Sequence, residues 1–462
     1  MATLNTIYSL FRKDQVFAPE DGEAYRESIR RWAENAERNA QFVVFVESAA
    51  DVSKAITFAT KHNLDIAIKG GGHSCSGASS SEGLVIDMGR LNSVRVDEAQ
   101  KRVIVGGGAL WADVDVESAK YGLAAVAGTV NHTGVGGFTL GGGYGWLTPK
   151  YGLAIDNLVE AEVVLADGSI VSCSEEKEPD LFWAIRGAGS NFGAVTSFTF
   201  RAHPQKSTVW AGLIIYPPTA LAAVWKAAET WVKTAGEDSS LHLFMACPPP
   251  AHKPTVVAVP FFNGSAEEGK KKFGAFYDIE IVKDLTREMP YSEVNGAQNM
   301  LATHGDRKAF KSTVMTSFDP ARYQEVFNKY SQIVTAHPEA HDTVIMYELH
   351  PFEKVAAVPN TATSFANRGE WYNINFAARW KSPELDDTMR AWAGEQVKYL
   401  RSRSENDTHA KLAGTRAYAN YGLGDEKVRD IFGDNYDRLA ELKVKYDPDN
   451  VFHKWYPVAS QS

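Results

Sequence analysis

Seven glycines fall within the twelve positions from Gly134 to Gly145 (Gly134, Gly136, Gly137, Gly141, Gly142, Gly143 and Gly145). No other feature of the chain restricts it as much. Glycine lets backbone come close to a neighbour or a ligand with no Cβ in the way. A loop that only turns the chain needs one or two such residues, so this density predicts close approach to a large flat or phosphorylated ligand. A smaller concentration, Gly70-Gly71-Gly72 followed by His73 and Ser74, comes straight after the β-type run Asp65 to Lys69. Its unobstructed N–H groups suit a pyrophosphate. It is not the dinucleotide fingerprint, because no helix opens at the required spacing of glycines.

The 462 residues exceed what one compact core organises, which predicts two domains. A net charge of −9 without a basic cluster argues against a nucleic-acid partner. Lys270-Lys271-Lys272 follows Glu267 and Glu268 and reads as a solvated helix face. Cys75, Cys173 and Cys247 form neither a disulfide framework nor a metal-ligand spacing, and no metal is expected. No uninterrupted apolar stretch approaches the ~18–20 residues of a membrane span. The N-terminus also lacks a leader pattern. A soluble, cytoplasmic protein without a membrane partner is the expectation.

Hydrophobic periodicity predicts helices over residues 24–40, 49–62 and 110–121, and strands over 42–46, 65–69, 84–87, 93–97, 102–105 and 158–165, with Asp167-Gly168 as a hairpin turn. Beyond about residue 205, amphipathic stretches (220–234, 267–277, 320–335, 383–401) alternate with extended runs at 255–259, 344–350 and 373–378. That texture predicts a separate α+β domain. In the run Val344 to His350, alternation sets Met346, Glu348 and His350 on one face and Tyr347 on the other.

Four ordered segments carry a family resemblance: Gly70 to Ser74, Gly134 to Asp156, Leu181 to Gly189, and the tail pieces Ala417 to Tyr421 and Tyr446 to Phe452. Together they resemble FAD-linked oxidases of the vanillyl-alcohol-oxidase superfamily, in particular its berberine-bridge-enzyme-like branch. Leu147 to Leu153 is also similar to bacterial 6-hydroxynicotine oxidase. The resemblance covers roughly residues 35–205 and 410–455. It implies an α+β, two-domain FAD-binding fold, with FAD-binding segments 1–205 and 416–462 around a substrate domain, 206–415, built on an antiparallel sheet covered by helices.

The resemblance also implies roles. His73 matches the residue that bonds covalently to the flavin, through an imidazole that is nucleophilic when neutral. The position of a second, cysteine attachment in many members is Val130 here, so a single bond is expected. Gly70, Gly71, Gly72, Ser74, Gly134, Gly137, Gly142 and Gly143 would contact FAD through backbone, with Asn157 and Val195 on the adenosine half and Asn420 on the flavin or ribityl side. Tyr418 or Tyr421 would lie against the flavin ring. Glu348, then His350, are the candidate bases, with Asn375 and Trp380 candidates for the same cavity. Thr133 stands where the branch often has a small apolar residue thought to admit O2. The implied activity is oxidation of an alcohol or amine carbon in a small, aromatic or sugar-like metabolite, with O2 reduced to H2O2. The alternatives are a dehydrogenase with another acceptor, a noncovalent FAD enzyme, and a non-redox flavoprotein cyclase or binding scaffold.

Overall fold

The computed structural model describes residues 2–404 and 417–459; the expected boundary between residues 415 and 416 lies outside them. Three larger sheets organise the chain, beside a two-stranded one of Leu123–Ala124 and His203–Pro204. The first holds Phe42–Phe45, Leu84–Asp87 and Ile66–Lys69 in parallel, with Val16–Phe17 antiparallel at its edge. Parallel strands need a crossover, and the Ala49–Lys61 helix supplies the one from Phe42–Phe45 to Ile66–Lys69, the two strands that flank Leu84–Asp87. That helix starts at Ser48, whose hydroxyl accepts from the Asp51 N–H at 3.2 Å. It buries Val52, Ala55, Ile56, Phe58 and Ala59. The strand Ile66–Lys69 then delivers the chain into Gly70-Gly71-Gly72 with no helix following.

The second sheet is antiparallel, in the order Val94–Asp97, Arg102–Gly106, Ala194–Arg201, Leu158–Val164, Ile170–Ser174. The expected hairpin joins the last two strands through Gly168 at φ +83°, a left-handed turn position suited to glycine. The tail returns to this body: Ala417, Ile431, Leu439 and Tyr456 share a core with Val105, Trp111 and Phe198. A buried ion pair fixes the tail. Lys443 Nζ donates to Asp447 Oδ2 at 2.7 Å and to the carbonyls of Asn191 and Phe452 at 2.8 and 2.6 Å. Asp447 in turn accepts from the N–H groups of Val451 and Phe452.

The third sheet has nine strands. Its main path runs Lys283–Asp284, Ile214–Tyr216, Thr255–Phe262, Ser239–Ala246, Val344–Leu349, Tyr372–Trp380, Arg307–Met315. One face is covered by helices, where Trp225, Tyr323 and Met389 meet Tyr347, Phe376 and Trp380. The opposite face packs on the glycine-rich half: Phe244, Val257, Val344 and Met346 lie with Ala124, Trp146 and Leu147. This is the α+β, two-domain architecture implied by the resemblance. Among the described residues, no helix is long and apolar enough to cross a membrane.

Two helical expectations fail. Residues 24–40 are helical only over Glu23–Ser28, with a 3-10 turn at Glu34–Ala36. Tertiary contacts override propensity there, because the buried Arg31 guanidinium bonds the carbonyls of Ser28, Arg30 and Ser79. Residues 267–277 split into Ala266–Lys272 and Gly274–Tyr277, where Phe273 turns into the core.

Replacing Lys443 with Met leaves Asp447 buried without its cation. The expected loss is about 3–5 kcal/mol of unfolding free energy, read from the urea midpoint at constant m-value.

Candidate active site

The two glycine segments touch backbone to backbone. A Cβ on Gly71 would stand 2.4 Å from the Gly134 nitrogen, and one on Gly134 would stand 2.3 Å from the Gly71 nitrogen. No side chain survives at either position without moving main chain. Beside this contact opens a cavity of about 350 Å³, running from the first sheet to the substrate sheet. Gly137 lines it with no atom within 4 Å of a Cβ built there. A side chain at Gly137 would therefore enter the cavity rather than the fold.

Most of the expected site residues meet on this wall. Gly70, Gly71, Gly72, His73 and Ser74 come from the first loop, and Val130, Thr133, Gly134 and Gly137 from the second segment. Val195 follows from the second sheet, and Tyr418, Asn420 and Tyr421 from the tail. Asn420 rests where a Gly141 side chain would be and donates to the Phe138 carbonyl at 2.9 Å and the Tyr418 hydroxyl at 2.8 Å.

At one end, His73 Nε2 lies 2.7 Å from His132 Nδ1. Trp32 stacks on the His73 ring at 4.8 Å, and Lys308 Nζ lies over Trp32 at 4.4 Å. Burial, then the neighbouring imidazoles of His132 and His304, hold His73 well below the usual imidazole range. The ring is thus neutral at pH 7, as a nucleophile requires. Burial also pushes the Lys308 ammonium down to about 7. Sequence reasoning gave no sign of Trp32, His304 or Lys308, which reach His73 only through the fold. Cys75 is buried, its thiol pushed up to about 11, so it is a packed, unreactive side chain.

At the other end, Tyr421 Oη donates to Glu348 Oε1 at 2.7 Å. Glu348 is 2% exposed and its Oε2 has no hydrogen-bond partner. Burial pushes its carboxyl up to about 7, against the opposing pull of Tyr421 and Asn373. Glu348 is paired across the sheet with His242 on one side and Asn373 on the other.

Several expectations are corrected. Glu348 is not on the cavity wall; Tyr421 stands between it and the cavity. His350 is also set back, with its Nδ1 on the Ser240 hydroxyl at 2.9 Å. Trp380 faces the helices, donating to Asp386, whereas Asn375 does line the cavity. Asn157 braces the fold: its amide donates to the carbonyls of Tyr151 and Leu153 and its Oδ1 meets His203 Nε2. Gly142 and Gly143 are not among the residues lining the cavity, and a Cβ on them would meet the rings of Phe365 and Phe138. The groups His73–His132–His304 and His242–Glu348–His350 each bring side-chain nitrogen or carboxylate oxygen atoms within 4.8 Å of one another.

Residues 40–174 match the family described as "FAD binding domain", and residues 417–456 match "Berberine and berberine like". The FAD-linked oxidoreductase pgmH of Aspergillus terreus is 36% identical over 459 residues, covering 94% of this chain and 91% of that one. The solved 6-hydroxy-D-nicotine oxidase of Arthrobacter nicotinovorans superposes with a TM-score of 0.86 at 24% identity, covering 98% of this chain and 99% of that one. Xylooligosaccharide oxidase of Myceliophthora thermophila gives 0.82 at 23%, covering 97% of each. The cradle fits FAD: Gly70, Gly71, Gly72, Gly134, Gly136 and Gly137 give it a floor of bare backbone from both glycine segments. Gly137→Leu is accordingly expected to fold but to purify with a small fraction of the wild-type FAD, read as the ratio of flavin to protein absorbance. The match of both end segments and the similarity along almost the whole length establish that this chain belongs to the berberine-bridge-enzyme-like family of FAD-linked oxidoreductases.

Proposed function

We propose that the protein is an oxidase that holds FAD through a single covalent bond to His73 and oxidises the hydroxyl- or amine-bearing carbon of a small aromatic metabolite, passing the electrons to O2 as H2O2. The observation that carries this reading is one cavity bounded by a neutral imidazole at one end and the Tyr421–Glu348 pair at the other. FAD, when bound, supplies the acceptor for the substrate's hydride.

The chain's own part is proton handling and orientation. Tyr421 lines the cavity, and its hydroxyl proton is already directed to Glu348. As the substrate hydroxyl gives its proton to Tyr421, the tyrosine proton moves on to the carboxylate, so the relay needs Glu348 ionised. The substrate-sheet wall favours an aromatic over a sugar-like molecule. Phe244, Val344, Met346 and Ala377 surface its middle with Leu301 beside them, interrupted by the amides of Gln298 and Asn375, while the charged Lys308, Asp342 and Arg379 stand elsewhere on the lining. A saccharide needs hydrogen bonds to most of its hydroxyls, and such a wall leaves them unpaired. Thr133 on the cavity wall, in place of an apolar residue, favours as second reading a dehydrogenase with a quinone-like acceptor.

Acid precipitation of wild-type protein should leave the yellow colour in the pellet, and His73→Ala should release it to the supernatant. Colour in the wild-type supernatant removes the covalent bond from the proposal. Anaerobic mixing with benzylic and phenolic alcohols should bleach the flavin, and Glu348→Gln and Tyr421→Phe should each slow bleaching by about 10²–10⁴-fold. Because Glu348 must lose its proton, bleaching should accelerate as pH rises through about 7. A substrate converted with the flavin still oxidised would favour the non-redox scaffold. Reoxidation of the bleached enzyme by a quinone but not by O2 would favour the dehydrogenase.

A further inference from the structure

We propose that His242 and His350 form a switchable pair that sets the protonation of Glu348, with one His242 N–H shared between His350 and the Glu348 carboxylate. This rests on the reading of Glu348 as the proton acceptor behind Tyr421.

The direction of every hydrogen bond in the cluster follows from one contact. The Gln298 amide nitrogen lies 2.9 Å from His242 Nδ1. An amide nitrogen only donates, so Nδ1 accepts and the ring proton of neutral His242 sits on Nε2. That Nε2 is 3.3 Å from His350 Nε2 and 3.9 Å from Glu348 Oε1. His350 Nε2 must then be the accepting nitrogen, and its Nδ1–H donates to Ser240 Oγ at 2.9 Å. The chain of donors runs one way, from Gln298 through His242 and His350 to Ser240.

The single N–H of His242 therefore has two takers. A separation of 3.3 Å is long for a nitrogen–nitrogen hydrogen bond, and 3.9 Å is not one. With Glu348 neutral, His350 holds the N–H; with Glu348 ionised, the full charge outbids a neutral imidazole for it. The groups cannot drift far apart. His242, Glu348 and Asn373 are neighbours across three strands, Trp146 stacks on His242 at 4.4 Å, and Tyr144 lies parallel to His350 at 6.3 Å. His242 and His350 are 0% and 4% exposed. Burial drives His350 down to about 3 and His242 well below the usual range, so both remain neutral in either state. The other titratable groups facing Glu348 are Tyr421 and Tyr418 from the tail and Tyr144 from the glycine-rich segment. All three stay protonated, their hydroxyls pushed upward by burial. Arg368, which faces Tyr144, is engaged by Asp156 at 2.6 Å.

The two histidines thus act in opposite directions, which a purely structural role would not produce. The test is an infrared titration of the FAD-loaded enzyme, following the carboxylic-acid C=O band that disappears in Glu348→Gln. The wild-type midpoint is expected at about 7. His242→Phe keeps the stack on Trp146 and removes the donor, so the midpoint should rise by roughly one unit. His350→Leu removes the rival acceptor, so it should fall by a similar amount. Gln298→Leu frees the His242 proton to move to Nδ1 and should raise the midpoint. It carries the same sign as His242→Phe should that variant not fold. His242→Gln, which retains an N–H donor, should return the midpoint toward wild type. Shifts of the same sign in the two histidine variants, or shifts below about 0.3 unit in both, overturn the proposal. Opposite shifts combined with unimpaired flavin reduction in Glu348→Gln would keep the pair and remove the base role instead. Slowed reduction in that variant without opposite shifts would keep the base and remove the pair.

Discussion

The site depends on a contact between two stretches of bare backbone. Gly71 and Gly134 approach so closely that neither tolerates a Cβ. Through that contact the loop after the Ile66–Lys69 strand and the start of the Val135–Leu140 helix share one surface, and His73 comes to the rim of a cavity floored by glycine. Side chains at these positions would push the segments apart by the width of a methyl group or more. The tail uses the same economy, since Asn420 occupies the space that a side chain on Gly141 would take. Removing side chains thus both assembles the floor and leaves it open.

The opposite wall follows a different rule. Along one face of the substrate sheet the rows change character with distance from the cavity. Phe244, Met346 and Asn375 form a row that lines it, and His242, Glu348 and Asn373 form the next row, set back and buried. Placing ionisable groups behind an apolar layer raises the cost of their charged forms. The carboxyl is held near neutrality, its imidazole neighbours stay uncharged, and a tyrosine connects them to the cavity. His73 and Lys308 at the far end are shifted in the same sense, toward their neutral forms. Both ends of the cavity therefore hold ionisable groups whose charged forms burial disfavours.

How much of this was legible in the sequence depended on whether a residue's role is local. His73, Ser74 and the lining glycines were legible because they sit together in short segments whose backbone forms the cavity floor. The alternation of Val344 to Leu349 correctly separates Tyr347 from Met346 and Glu348, since a strand's period is fixed by its pleat. What lies beyond the pleat was not legible. Glu348 was expected at the cavity, and Tyr421, more than seventy positions away in sequence, took that place. Asn157 carries a ligand-binding position by motif and spends its amide on the carbonyls of Tyr151 and Leu153. The helix expected over residues 24–40 gives way to contacts of Arg31 with Ser79, which no local propensity encodes.

The sequence by itself determined the family, the glycine floor of the cavity, the place of His73 beside it and the face of the strand on which the Glu348 carboxylate lies. These are properties of short segments, set by missing side chains and by strand period. Only the tertiary structure decided who stands beside them. The stacking of Trp32 on His73, the position of Tyr421 in front of Glu348 and the convergence of Gln298, His242 and His350 all depend on strand register and on the return of the tail. Register is a relation between separate segments of the chain, and the energy that selects it comes from burying whole sheet faces. A pattern within one strand gives the side of the sheet, and only the packed sheet gives the neighbour.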